Sequence, residues 1–252
     1  ILVGNSKIKS IISPTTGLDH IDLVAAKRNK VKVYHLRGQK RFLKEVSGTA
    51  ELTMAIMLSL LRKIPQSFDA VKRGMWEPGP FRGNEVSKKK LGVVGCGRLG
   101  AKVSRVAIAL GMDVFAYDPY IYRFPAGVTQ VDSLTELLST IDILTLHIPL
   151  LSETTHLIST KEIEKMKDEV VIINTSRGSI VSTQALLDGL KKGKIKSAAI
   201  DVMEDEHSIK ESGHALIDYA NKYDNLLITP HIGGATYESV EKTDLFILKK
   251  YF

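Results

Sequence analysis

The chain has little of several things, and each shortage removes a class of function. Among its 252 residues there is one cysteine, Cys96. A single thiol excludes an internal disulfide and any cysteine-rich metal site, so no metal is expected. Such usage fits a reducing compartment, and a cytoplasmic location is the expectation. No apolar run reaches the roughly 20 residues that span a bilayer, so no membrane partner is expected either. Aromatic residues make up only 6% of the chain. None alternates with the basic clusters Lys88-Lys89-Lys90, Lys191-Lys192 and Lys249-Lys250. The formal charge of +7 therefore reads as solvated faces with a modest pull on anionic substrates, and no nucleic-acid partner is expected. The chain also lacks an initiating methionine. It opens at Ile1 on a strand-like pattern, and the expectation is a piece of a longer polypeptide, any targeting segment lying upstream.

What is present is ordinary for a globular chain: 44% hydrophobic and 25% charged residues, enough for one large or two modest domains. From Lys89 onward, buried strands alternate with amphipathic helices. "KKLGVVG", "MDVFAYD", "DILTLHIP", "VVIINTS", "KSAAIDV" and "NLLITP" read as strands. Runs such as Val170-Val171-Ile172-Ile173 are apolar on both faces, as parallel strands covered by helices are. Leu99, Val103, Val106 and Leu110 recur at helical spacing, and Gly111 stops that helix. Ser133 with Glu136, and Ser159 with Glu162, have capping-box spacing. The fold class is α/β, a doubly wound parallel sheet.

Upstream, a strand (Ile8 to Ser13), a helix (Asp19 to about Arg28) and a strand (Val31 to Leu36) make one βαβ-like unit, too little sheet for a domain. The segment Ala50 to Ile64 is apolar almost all round, which suits an intrachain core or a subunit interface, and a homodimer built on it is expected. Pro65 is expected to end or kink this helix.

"GVVGCGRLG" sets Gly95, Gly97 and Gly100 in G-x-G-x-x-G order between a strand and a helix. The first glycine makes the tight turn, the second lets the backbone approach a pyrophosphate, and the third lets helix and strand pack closely. Asp118 ends the next strand, where a carboxylate bonds ribose hydroxyls and repels a 2′-phosphate, so the expected cofactor is NAD rather than NADP. Cys96 reads as a small neutral filler of the turn. Three further strand ends carry Arg177 ("INTSRG"), Asp201 with Glu206 beyond it ("AIDVMEDE"), and His231 ("ITPHIGG"). Each alone has a structural reading: a capping arginine, a strand-end aspartate, a solvated glutamate, a loop histidine. Together they offer a guanidinium for a carboxylate, an imidazole to move a proton and an acid to hold the imidazole.

These motifs, with "SPTTGLDHIDL", "SGTAELTMAIMLSLLR", "YDPY" and "LHIPLLSETTHLI", occur in an order that resembles the D-isomer-specific 2-hydroxyacid dehydrogenase family, which includes phosphoglycerate, glycerate and D-lactate dehydrogenases. The resemblance implies a Rossmann NAD-binding domain over 43–232, containing the helix 50–64. It also implies part of a flavodoxin-like substrate domain over 1–42 and a return segment over 233–252. It implies Arg177, Glu206 and His231 as catalytic residues, with His231 as general acid/base, and Asp201 at the nicotinamide carboxamide. Backbone amides at Thr16 and Gly17 would hold the substrate carboxylate, and Arg177 and His231 would also bind the substrate. The cofactor set grows to include Arg98, Leu99, His147, Pro149, Thr154, Thr175, His231 and Gly233. The implied partner is a small anionic 2-hydroxy or 2-keto acid.

The chain departs from the family pattern in two loops. His207 follows Glu206 where proline is usual, within the atypical "HSIKESGHALIDY", and Arg37 to Lys44 replaces an asparagine-containing loop. Two other functions share this resemblance. Formate or phosphite oxidation is one; formate dehydrogenases of the family carry an amide where Glu206 stands, which argues against it. A non-catalytic, NAD-responsive scaffold such as a corepressor is the other.

Overall fold

A computed structural model of the chain describes residues 7–209 and 213–252. Residues 1–6 of the expected substrate-domain piece, and Lys210–Ser212 of the atypical loop, lie outside the described residues. In chain order the elements begin β1 (Ser10–Ser13), α1 (Leu23–Arg28), β2 (Lys32–His35), α2 (Lys40–Leu43), α3 (Gly48–Leu61) and α4 (Ile64–Lys72). They continue with β3 (Lys90–Val94), α5 (Arg98–Ala109), β4 (Asp113–Tyr117), β5 (Val128–Gln130), α6 (Leu134–Thr140) and β6 (Ile143–Leu146). The remainder is α7 (Thr160–Lys165), β7 (Val170–Asn174), α8 (Thr183–Lys191), β8 (Ile195–Ile200), α9 (Ala215–Ala220), β9 (Leu226–Ile228) and α10 (Tyr237–Tyr251).

The chain divides into two compact units, one running up to Gly48 and resuming at Gly234–Phe252, the other Thr49–Gly233. In the first, β1 and β2 pair in parallel, with Ser13 opposite His35. Helix α1 starts later than its sequence pattern suggests, because the Asp22 carboxylate accepts from Ala25 N at 2.8 Å and fixes the N-cap there. Leu36, Leu43 and Ile247 form a small core, with Phe42 stacked on Phe246.

The larger unit holds a seven-stranded sheet in the order β5-β4-β3-β6-β7-β8-β9. Every pair in it is parallel. Chain order reverses between β3 and β6, which makes a crevice at their carboxyl ends. The edge strand β5 was not visible in the sequence; at three residues, with two of them exposed, it has no apolar run to betray it. In α5 the buried stripe is Gly100, Val103, Ser104 and Ala107, while Val106 and Leu110 face out. Close approach at Gly100 sets the helix rotation, and the larger side chains yield to it.

Helix α3 buries Ala50, Met54, Ile56, Met57, Leu60 and Leu61 in the same core as Leu91, Val93, Val103 and Val114. Its apolar circumference is thus used within its own unit, and the helix stops at Leu61. Lys63 turns left-handed (φ 51°) and Pro65 sits in the first turn of α4, where a missing N–H costs nothing. Exposed apolar side chains gather instead on α4 and the turn after it: Ile64, Phe68, Val71, Met75 and Trp76, the last 89% exposed.

Candidate active site

The glycine turn is fixed by contact as well as by spacing. Gly95 lies at φ +86°, a region that disfavours side chains, and its N–H donates to Tyr117 O at 2.9 Å. A Cβ on Gly100 would fall onto the Gly95 carbonyl oxygen, so only glycine lets α5 start so close to β3. Beside Gly97 there is nothing within 4 Å of a would-be Cβ, so backbone is open to a ligand at the N-terminus of α5. Arg98 and Leu99 form the first turn of that helix.

Asp118 is held from two sides, accepting from Cys96 N on Oδ2 and Tyr120 N on Oδ1, each at 2.9 Å. A carboxylate oriented at the end of the second strand suits a ribose diol, and these residues together fit a dinucleotide. Cys96 is 3% exposed, and burial pushes its thiol up from its ordinary value, which leaves a neutral filler.

At the end of β6, His147 donates its backbone N–H to Val94 O, and its Nε2 lies 3.0 Å from Thr145 Oγ1. Burial pushes its imidazole down to about 4, so the ring is neutral at physiological pH. Pro149 O accepts from Thr154 Oγ1 at 2.8 Å, which in turn accepts from Leu151 N at 2.7 Å, so Thr154 shapes the loop beside the crevice. Thr175, at the end of β7, buries its hydroxyl against Thr53 Oγ1 at 2.7 Å.

The expected chemical residues lie on adjacent carboxyl ends: Arg177 past β7, Asp201 past β8, His231 past β9. Asn174 braces the arginine's turn. Its Nδ2 donates to Arg177 O at 2.9 Å, while its Oδ1 accepts from Ser176 N and Oγ. Gly178 packs against the backbone of Met203 and Glu204, which leaves no room for a Cβ. His231 Nδ1 lies 2.6 Å from Glu206 Oε1, the pair being 46% and 23% exposed. Left-handed backbone sits at or beside each end of this pair: His231 itself at φ 55°, and Asp205, the residue before Glu206, at φ 50°. Left-handed non-glycine residues cost energy and mark places that the surroundings over-determine.

Asp201 is 1% exposed. Its Oδ1 accepts from Thr229 Oγ1 (2.6 Å) and Ile232 N (2.8 Å), and its Oδ2 from Gly233 N (2.7 Å). The carboxylate is therefore a clamp on the loop that carries His231, a role that its position in the sequence alone did not reveal. Glu204 was also missed. Burial would raise its carboxyl, but bonds from Thr183 and His156 hold it below the usual range, and it anchors the segment leading to Glu206. A second acid in "EDE" was the available signal. In the smaller unit, Thr16 and Gly17 lie in the loop after β1, where Thr15 Oγ1 donates to Gly17 O at 2.7 Å. Among the described residues no cluster of acids, histidines or cysteines could hold a metal. None of the described helices is long and apolar enough to cross a membrane.

Residues 54–233 match the family described as D-isomer specific 2-hydroxyacid dehydrogenase, NAD binding domain. The chain is 39% identical to the D-3-phosphoglycerate dehydrogenase of Methanocaldococcus jannaschii over 92% of its own length and 43% of the relative's. It is 35% identical to the hydroxypyruvate reductase of Thermotoga maritima, over 100% of this chain and 79% of that one. Among solved structures, D-lactate dehydrogenase from Aquifex aeolicus, complexed with NAD and lactic acid, superposes with a TM-score of 0.81 at 33% identity. That match covers 96% of this chain and 74% of the other. The chain thus spans less than half the length of the phosphoglycerate dehydrogenase that it matches.

Proposed function

Since this chain belongs to the D-isomer-specific 2-hydroxyacid dehydrogenase family, we propose that it transfers a hydride between NAD and C2 of a D-2-hydroxy acid or its 2-keto acid. The observation that carries this reading is the His231–Glu206 pair, 2.6 Å apart at the carboxyl edge where Arg177 and Asp201 also end their strands. The bound nicotinamide supplies or accepts the hydride. The chain's residues do the rest. In the reducing direction His231 Nε2 gives a proton to the carbonyl oxygen, while Glu206 faces Nδ1 and steadies the imidazolium. Arg177 polarises the carbonyl and grips the carboxylate with its planar fork. Formate oxidation moves no proton, and a carboxylate bonded to the histidine has no task in it.

Asp118 supports NAD over NADP, because its fixed carboxylate repels a 2′-phosphate. Steady-state oxidation of NADH with a panel of 2-keto acids tests the reading. Saturable turnover of at least one is expected. Binding of NADH without turnover of any would replace the enzyme with a NAD-responsive scaffold.

A further inference from the structure

Thr49 lies in the first turn of α3 and no role has been assigned to it. Its Oγ1 donates to Gly233 O at 3.0 Å, across 184 residues of sequence. Gly233 is two residues past His231, and its N–H is already held by Asp201. A Cβ on Gly233 would lie 3.0 Å from Asp201 Oδ2 and 3.3 Å from Thr49 Cγ2, so the glycine is seated between two jaws. One jaw is the strand-end carboxylate; the other is the threonine.

The threonine jaw is itself anchored. Thr53, 1% exposed, donates its hydroxyl to Thr49 O at 2.7 Å. Thr53 Oγ1 also lies 2.7 Å from Thr175 Oγ1. A hydroxyl has one proton, so with Thr53 donating to Thr49 it is Thr175 that donates to Thr53. Thr175 stands two residues before Arg177. A continuous strut of three threonines therefore runs from the turn of Arg177, through buried α3, to the loop of His231.

We propose that Thr49 is a positioning residue for the hydride-transfer reaction, setting the His231 loop against the Arg177 turn; this rests on the dehydrogenase reading above. The left-handed backbone at His231 needs such over-determination, and the bond from His231 N to Thr229 O, 3.0 Å, lies within the loop and cannot place it. Proton transfer and carbonyl polarisation act on one oxygen, so their relative placement governs kcat more than binding.

Two substitutions in the full chain separate this from a packing role. Thr49→Val keeps the volume and removes the hydroxyl, and Thr49→Ser keeps the hydroxyl. Thr49→Val is expected to lower kcat for 2-keto acid reduction about tenfold, with KM for NADH within about twofold of the parent. Thr49→Ser is expected to restore most of the loss. In the cofactor-free chain, amide exchange at Gly233 is expected to quicken about tenfold in Thr49→Val and not in Thr49→Ser, while Gly95 is unmoved. Unchanged Gly233 exchange in Thr49→Val overturns the proposal, and so does faster exchange with unaltered kcat. Should the parent turn over no keto acid, the dehydrogenase reading fails on its own, and the part of the proposal that concerns loop placement is still decided by the Gly233 exchange.

Discussion

Replacing Asp201 by asparagine separates two roles for one carboxylate. Asp201→Asn keeps shape and volume and retains one oxygen, which still serves Thr229 Oγ1 and Ile232 N. The new amide nitrogen replaces Oδ2 and faces Gly233 N–H, donor against donor. One bond to a charged acceptor is lost, about 1.5–3 kcal/mol, and a buried N–H is left unpaired, about 1–3 kcal/mol. Flipping the amide gives no relief: Thr229 Oγ1 can turn to accept from it, but its nitrogen then faces Ile232 N–H and that donor is unpaired instead. The expected loss of stability is about 3 kcal/mol, roughly 6–12 °C in melting temperature for a chain of this size. The assay is urea or thermal unfolding of the cofactor-free protein. If Asp201 served only the nicotinamide carboxamide, the free chain would be as stable as the parent and only NADH affinity would fall. A change below about 0.5 kcal/mol in the free protein would falsify the clamp.

Other parts of the molecule give three further expected outcomes. Because burial holds His147 neutral down to about 4 while an unfolded histidine protonates near 6.5, stability present above pH 6.5 is lost as pH falls toward 4. Between pH 6.5 and 5 this amounts to about 1.5 kcal/mol, and His147→Asn should flatten that part of the urea-midpoint profile; an unchanged slope would contradict the buried neutral ring. Binding of NADH should exceed that of NADPH, and Asp118→Ser should narrow the gap, as measured by fluorescence titration; tighter NADPH binding by the parent would sink this. The sequence reading set a homodimer on the helix 50–64; because that helix buries its apolar residues in its own unit, the exposed residues on and just after α4, around Phe68, Val71 and Trp76, are proposed as the contact instead. Sedimentation of the full chain should show a dimer that Phe68→Glu dissociates, whereas a monomer at tens of micromolar would refute it.

Much of the candidate site's placement was legible because strand ends and glycine turns are written locally. Gly95, Gly97, Gly100 and Asp118 announce themselves by spacing. Both capping-box spacings mark helix starts: Ser133 accepts from Glu136 N at 3.1 Å, a one-way cap, while Ser159 and Glu162 cap one another. What stayed hidden depends on approach between distant segments. Nothing near Thr49 in sequence points to Gly233, and a strand-end aspartate looks alike whether it faces a ligand or a loop. The face of α5 was misjudged for the same reason, since tight packing at Gly100 outranks the hydrophobic period. Pro65 reads in the sequence as the end or kink of the helix before it, whereas the left-handed turn at Lys63 makes it part of the first turn of α4.

Whether His231, partnered by Glu206, moves the proton of a hydride-transfer reaction is decided by single-turnover oxidation of bound NADH by a 2-keto acid. The parent, His231→Ala and Glu206→Gln are compared, with NADH affinity determined alongside. His231→Ala is expected to slow the reaction roughly 10²–10⁴-fold and Glu206→Gln to slow it by less, while both bind NADH as the parent does. Parent-like turnover in His231→Ala would contradict the assignment, and the imidazole would then be an ordinary loop residue.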